Sequence, residues 1–144
     1  MEIARRPSVR ISDRDNMAPM RRALRAYLED RRDDALAALH VSSGVDPAHD
    51  TDFPAFPDGE DDYFTARFYA RLGHRRLALL GARAAVEQGY FCLSDFEGDP
   101  WLDPIRGEPE FAGILAAVRE RRRRALDVFA AEGGAALLGV DVPA

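Results

Sequence analysis

Few side chains in this sequence are of a type that does covalent or metal chemistry: one cysteine, Cys92, and three histidines, His40, His49 and His74. A cysteine nucleophile needs an imidazole base, and an acid to orient it, converging on the sulfur. Cys92 instead sits in Gly89-Tyr90-Phe91-Cys92-Leu93-Ser94, among large apolar residues, where an unpaired cysteine behaves as a small hydrophobe. Core packing is therefore the expectation for it, with a small helical enzyme built on Cys92 and a histidine as the contrasting reading. The histidines lie 9 and 25 residues apart, without a His-x-x-x-His or Cys-x-x-Cys spacing. A zinc site needs three or four ligands brought together, so no metal is expected. His74, directly after Gly73, reads as an exposed polar turn residue.

The charged residues carry more pattern. Asp46, Asp50, Asp52, Asp58, Glu60, Asp61 and Asp62 fall within residues 43–66, which contain no basic residue at all. Their spacing does not match a calcium loop, which alternates acids toward a glycine and closes on a glutamate at its twelfth position. A solvated loop and a helix start account for them, because first-turn carboxylates suit the positive end of a helix dipole. The second feature is Arg119-Glu120-Arg121-Arg122-Arg123-Arg124. On a helix these six residues point in every direction, so they cannot follow one phosphate backbone. A solvated face is expected, with Glu120 pairing to Arg124 one turn on and Arg121 or Arg122 lying beside the apolar stripe. A docking surface for an acidic partner, or for the chain's own acidic loop, is the second reading.

All 20 basic residues are arginine. Without lysine, neither a Walker-type phosphate loop nor a Schiff-base enzyme is possible in this chain, and no Gly-x-Gly-x-x-Gly or Gly-x-Ser-x-Gly occurs. No catalytic residue and no cofactor are predicted, so the chain is expected not to be an enzyme. A net charge of −5, with the acids concentrated in one segment, argues against nucleic acid as a partner.

The elements that must position these residues follow from composition and periodicity. A chain of 144 residues, 47% hydrophobic and 31% charged, is expected to fold as a globular domain. No apolar run approaches the roughly 20 residues of a membrane span, so no membrane association is expected. Met1-Glu2-Ile3-Ala4-Arg5-Arg6-Pro7 has no apolar stretch behind its arginines and does not read as a secretory signal, and a single cysteine suits a reducing cytoplasm.

Residues 1–14 have no periodicity and read as a leader. A helical pattern follows over 15–42, with Met20, Ala23, Leu24, Tyr27 and Leu28 on one stripe and Ala35, Leu36 and Leu39 on a second. The polar break at 29–34 predicts a turn between two antiparallel helices; lacking glycine, it also permits one long helix. Residues 43–59, with three prolines, two glycines and four aspartates, predict a loop that Phe53 and Phe56 pin to the core. Helices are predicted from Glu60 to Leu72, ended by Gly73, and from Arg75 to Gln88, ended by Gly89. Gly81 within the second predicts a close helix contact, since glycine there costs about 1 kcal/mol against alanine. Over 93–107, Asp99 is expected to cap and Pro100 to open a short turn. Pro109 opens a last helix over 108–132, with Phe111, Ile114, Leu115, Val118, Ala125 and Phe129 on one stripe, and 133–144 form a loose tail. No strand pair is predicted, and the fold class is all-α.

Residues 60–92 contain two helices with small residues at fixed places: Ala66 and Tyr69 on the first, Gly73 at the turn, Ala78 and Ala85 on the second. Alanine lets paired helices approach, the aromatic fills the gap beside it, and glycine turns the chain. This unit resembles the tetratricopeptide repeat. The pair at 15–42 resembles a degenerate unit, with Ala23 and Ala35 at small positions and Asp30 where glycine is expected. The stretch from Gly89-Tyr90-Phe91 through Asp99-Pro100-Trp101-Leu102-Asp103-Pro104-Ile105-Arg106 to Pro109 and Phe111 resembles the closing segment of such arrays in multidomain bacterial regulators. The resemblance implies antiparallel hairpins stacked as a short solenoid, capped by the helix at 108–132. It also implies a non-catalytic protein-protein interaction module of a bacterial regulatory or signalling system. The alternative it leaves is a detached C-terminal fragment of a larger regulator, such as a kinase, cyclase or transcriptional activator.

In tetratricopeptide units the first helix of each pair lines the concave face, which by resemblance places Tyr63, Arg67 and Arg71 on a partner-binding groove. Arg67 and Arg71 lie one turn apart, so both guanidinium groups can meet one carboxylate or acidic peptide. The matching positions of the preceding unit are Met17, Met20, Leu24 and Tyr27. About three units are normally needed to bury a continuous core. Either the units here suffice, or the chain pairs with itself, or it is the end of a longer array.

Overall fold

In the computed structural model, which describes residues 18–46, 53 and 58–139, the first helix, α1 (Ala18–Leu28), stops because Asp30 turns the chain. Asp30 takes a left-handed conformation with φ 57°. The Arg31 amide donates to the Ala26 carbonyl at 2.8 Å and the Asp30 amide to that of Tyr27 at 3.1 Å, the paired bonds of a Schellman stop. Aspartate tolerates this conformation because its short polar side chain crowds the backbone less than a branched one. A second helix, α2 (Arg32–Ser43), follows, so residues 18–43 form two helices and not one.

The chain divides into two compact units, Met1–Ser42 and Ser43–Ala144. In the first, the buried positions are Ala23 and Ala26 on α1 and Ala35 and Leu39 on α2. This corrects the expected stripe. Leu24 and Leu28 are rotated about 100° and about 140° from the Ala23 line and stand exposed. The leader, Met17, His49, Asp50, Asp52, Phe56 and the last residues of the tail lie outside the described residues.

The second unit is built on a hairpin of α3 (Gly59–Leu72) and α4 (Arg75–Glu87), which make its most extensive contact. Asp58 caps α3, its carboxylate accepting from the Glu60 amide at 2.9 Å. Gly73, at φ 88°, closes α3 with the same paired bonds as α1: Gly73 to Ala70 at 3.1 Å and His74 to Tyr69 at 2.9 Å. The hairpin interior is lined by small residues and one aromatic, with Ala66, Tyr69, Ala78 and Ala85 fully buried. At Gly81 the helices come close, because an added Cβ would lie 3.0 Å from the Ala66 methyl and from the Phe53 ring.

Beyond the hairpin come α5 (Leu93–Gly98), a 3-10 turn (Pro100–Leu102), α6 (Asp103–Arg106), α7 (Pro109–Ala131) and α8 (Gly134–Leu138). Phe96, Leu102 and Ile105 fill the core from the punctuated segment, and Phe111, Ile114 and Val118 from α7. Exposed ion pairs tie the periphery: Arg75 to Glu108 at 3.2 Å, Arg83 to Glu110, and Arg119 to Glu97 at 2.7 Å. Such pairs contribute at most about 1 kcal/mol each, so burial carries the fold.

Two expectations for the C-terminus are corrected. No residue of α7 after Val118 is fully buried: on the expected stripe Ala125 is exposed and Phe129 half-buried. The expected loose tail contains α8, which packs back on α7 with Gly134 against the Phe129 ring. The described residues contain helices and turns but no strand, and none of their helices is long and apolar enough to cross a membrane.

Candidate functional site

Helix α3 presents Tyr63, Phe64, Arg67 and Arg71 within two and a half turns. Tyr63 is the residue that moves furthest from expectation. Its ring is 2% exposed, packed against Tyr90 at 4.9 Å and Phe96 at 5.2 Å between centroids. It belongs to the core and not to an open groove wall. The hydrophobic gain of burying an aromatic ring outweighs keeping it in water, provided its hydroxyl finds a partner.

That partner is Asp99. One carboxylate oxygen, Oδ2, accepts from the Tyr63 hydroxyl at 2.9 Å and from Arg67 Nη1 at 3.0 Å. The other, Oδ1, accepts from the Trp101 amide at 2.9 Å and so caps the 3-10 turn. Burial alone would raise the Asp99 carboxyl, but the Trp101 amide, the Tyr63 hydroxyl and the Arg67 guanidinium outweigh it and hold it below the ordinary aspartate range. Burial, followed by the hydrogen bond to Asp99, pushes the Tyr63 phenol well up, so it remains a donor throughout the physiological range.

Arg106 straps the same segment from behind. Its guanidinium donates to the Phe96 carbonyl at 3.1 Å, the Asp99 carbonyl at 2.9 Å and the Asp103 carboxylate at 3.0 Å. Tyr90 donates to Asp95, one turn before Asp99, and burial followed by that bond raises the Tyr90 phenol as well. The Asp99 carboxylate is thus held by α3 and by the 3-10 turn, and its backbone carbonyl by Arg106, before it holds Arg67.

Arg67 lies against two rings. Its guanidinium carbon lies 4.6 Å from the Phe64 ring centroid and 5.2 Å from that of Trp101, and Trp101 in turn lies 5.5 Å from Phe68. A guanidinium in contact with two rings, with its charge answered by a carboxylate, is ordered at little further entropic cost. Phe64 is 37% exposed and Trp101 half-buried, so the stack reaches the surface. Arg71 is exposed one turn farther along α3. Arg67 already meets Asp99, so the expected grip of Arg67 and Arg71 on one external carboxylate is altered: the charge of Arg67 is spent on the chain's own acid.

Sequence reasoning found Asp99 as a cap and missed its second role. The signal was available in one respect, because a cap uses one carboxylate oxygen and leaves the other for something else. Phe64 was missed because it lies off the helical stripe that marks core.

Two further expectations change. Cys92 is exposed, not buried; it sits 3.2 Å from the Ser94 hydroxyl in a cleft of about 440 Å³ lined by Phe91, Leu93, Glu97 and Arg122. Its chain neighbours Phe91 and Leu93 are apolar, but α5 begins at Leu93 and turns the sulfur outward while Phe96 goes in. A maleimide is therefore expected to modify Cys92 in the native protein at a rate close to that in denaturant; strong native protection would contradict this exposure. The acidic start of α3 is not uniformly solvated either. Asp62 is fully buried, whereas Glu60 and Asp61 are exposed. His74 is half-buried, with its ring edge-on to Tyr69. His40 is also half-buried. Among the described residues, no three His, Cys, Asp or Glu side chains converge as metal ligands.

Comparison with known proteins returns no match at a significant level: no protein-family model, no curated sequence and no solved structure.

Proposed function

We propose that this chain is a non-catalytic protein-binding module of a bacterial regulatory or signalling system, working in the cytoplasm. In this reading it is built on tetratricopeptide-like hairpins and binds through the outer face of α3. The observation that carries the reading is the Phe64–Arg67–Trp101 stack. Aromatic and arginine side chains dominate the energetics of protein interfaces. Here they reach the surface already ordered by Asp99, so docking on them costs little side-chain entropy. The full burial of Ala66, Tyr69, Ala78 and Ala85, with Gly73 in the left-handed turn between them, supports the repeat-like part of the proposal.

Phe64→Glu tests it, because Phe64 touches the stack without belonging to the Asp99 hydrogen-bond network. Affinity capture from native lysate with the wild-type chain is expected to retain a partner that the variant loses by about tenfold or more, at an unchanged helical melt. Equal retention of the same partner by both would place binding on another surface. Arg71→Glu, run beside it, reports whether that partner is acidic.

A further inference from the structure

The second half of α7 has no fully buried residue; Leu126 and Phe129 are half-buried. The last buried residue on the helix is Val118, although the chain stays helical to Ala131. The arm over 119–131 carries exposed apolar surface: Val128 is 62% exposed, and on α8, folded back on it, Leu137 is 83% and Leu138 68% exposed. Its arginines divide into two sets. Arg119 pairs with Glu97, and Arg123 and Arg124 pair with Glu120. Arg121 and Arg122 have no ion pair among the described residues. Arg121 and Val128 lie seven residues apart, two helical turns, and so share a face.

The start of α3 is the electrostatic opposite. Glu60 and Asp61 are exposed and have no ion pair among the described residues, and Phe64 follows them four and three positions later on the same face. One patch therefore sets the unanswered Arg121, with Arg122 flanking it about 100° round the helix, beside an exposed apolar residue, and the other sets two unanswered anions beside an exposed ring. Resting on the reading of α3's outer face as a binding surface, we propose that its partner is a second copy of this chain. The α7 arm of one copy docks on α3 of the next, Arg121 and Arg122 opposite Glu60 and Asp61, with Val128 against Phe64. The two patches differ, so the contact is head-to-tail, and assemblies lengthen with concentration. The charges are exposed, so the association is weak and screened by salt.

Light scattering against concentration tests this in about 20 mM and about 0.5 M salt, conditions that bracket strong and weak screening. The wild-type mass is expected to rise with concentration in low salt and return to the monomer value in high salt. Arg121→Glu/Arg122→Glu and Glu60→Arg/Asp61→Arg are each expected to stay monomeric, because each sets like charges against like. Their equimolar mixture restores opposite charges at every junction and is expected to recover the wild-type mass. Circular dichroism melts confirm that each variant is folded.

A wild type that is monomeric at every concentration overturns the proposal, as do variants that each associate alone like the wild type, or a mixture that fails to recover. Monomeric protein retained by anionic lipid vesicles also overturns it, in favour of an arm that faces a membrane. None of these results touches the α3 binding face itself, which stands or falls on whether Phe64→Glu loses a captured partner.

Discussion

Gly59→Ala is expected to lower the stability of the protein by about 2–3 kcal/mol, the cost of forcing a methyl group into a packed site that cannot yield. The first residue of α3 lies against the end of α4. A Cβ there would stand 2.5 Å from the Ala85 carbonyl oxygen and 2.9 Å from the Tyr90 amide nitrogen. Those two atoms are bonded to each other at 2.9 Å and close the end of α4. Both are backbone, so no rotamer change relieves the contact, and either α3 must shift or the stop of α4 must open. Gly113→Ala is the control. It lies inside α7 with nothing within 4 Å of the added atom, so it is expected to stabilise by about 0.8–1 kcal/mol through helix propensity alone. Urea unfolding followed by circular dichroism reads both. A Gly59→Ala midpoint equal to wild type would mean that the start of α3 does not rest on the end of α4.

Asp99→Ala is expected to cost a similar amount, about 2–3 kcal/mol, through a different route. It leaves the buried Tyr63 hydroxyl without its carboxylate, frees the Arg67 guanidinium, and removes the cap of the 3-10 turn. Asp99→Asn keeps the shape and an acceptor but loses the charge, and separates the electrostatic part by its pH dependence. The folded protein holds the Asp99 carboxyl below its ordinary value of 3.8. Its stabilising contribution is therefore fully present above that value and is lost as pH falls through the lower, folded value. The wild-type advantage over Asp99→Asn is expected to be largest near neutral pH and to close as pH drops below about 3.8. Fluorescence of Trp101, the one tryptophan, follows unfolding at the site itself. A gap between the two proteins that stays constant with pH would show that the carboxylate charge contributes nothing to holding Tyr63 and Arg67.

These two sites differ in how far they could be read from the sequence. The cap at Asp99 was legible, since Asp-Pro opening a short turn is a local pattern that needs only neighbouring residues. The bond from Asp99 to Tyr63 spans 36 residues and has no local signature. Gly59 was legible as a glycine near a helix start but not as a close approach, because the atoms it would strike belong to residues 85 and 90. Arg67 and Arg71 were placed on one face by the tetratricopeptide resemblance, and their spacing of one turn suggested a joint grip. Spacing places two side chains on one face but does not say whether that face already holds a partner.

The sequence by itself determined the all-α class, the hairpin of α3 and α4 with Gly73 between them, and the proline-opened turn and helix at Pro100 and Pro109. Each of these follows from interactions within four or five residues: helical hydrogen bonds, caps, and the left-handed conformation at a helix stop. Tertiary structure alone decided that Tyr63 and Asp62 go inside, that Cys92 stays outside, and that Phe64, Arg67 and Trp101 form one stack. It also decided that α7 runs on past its last buried residue. Burial depends on which distant surfaces meet. An apolar stripe states only that a face can be covered, and whether it is covered is settled by which distant elements pack against it.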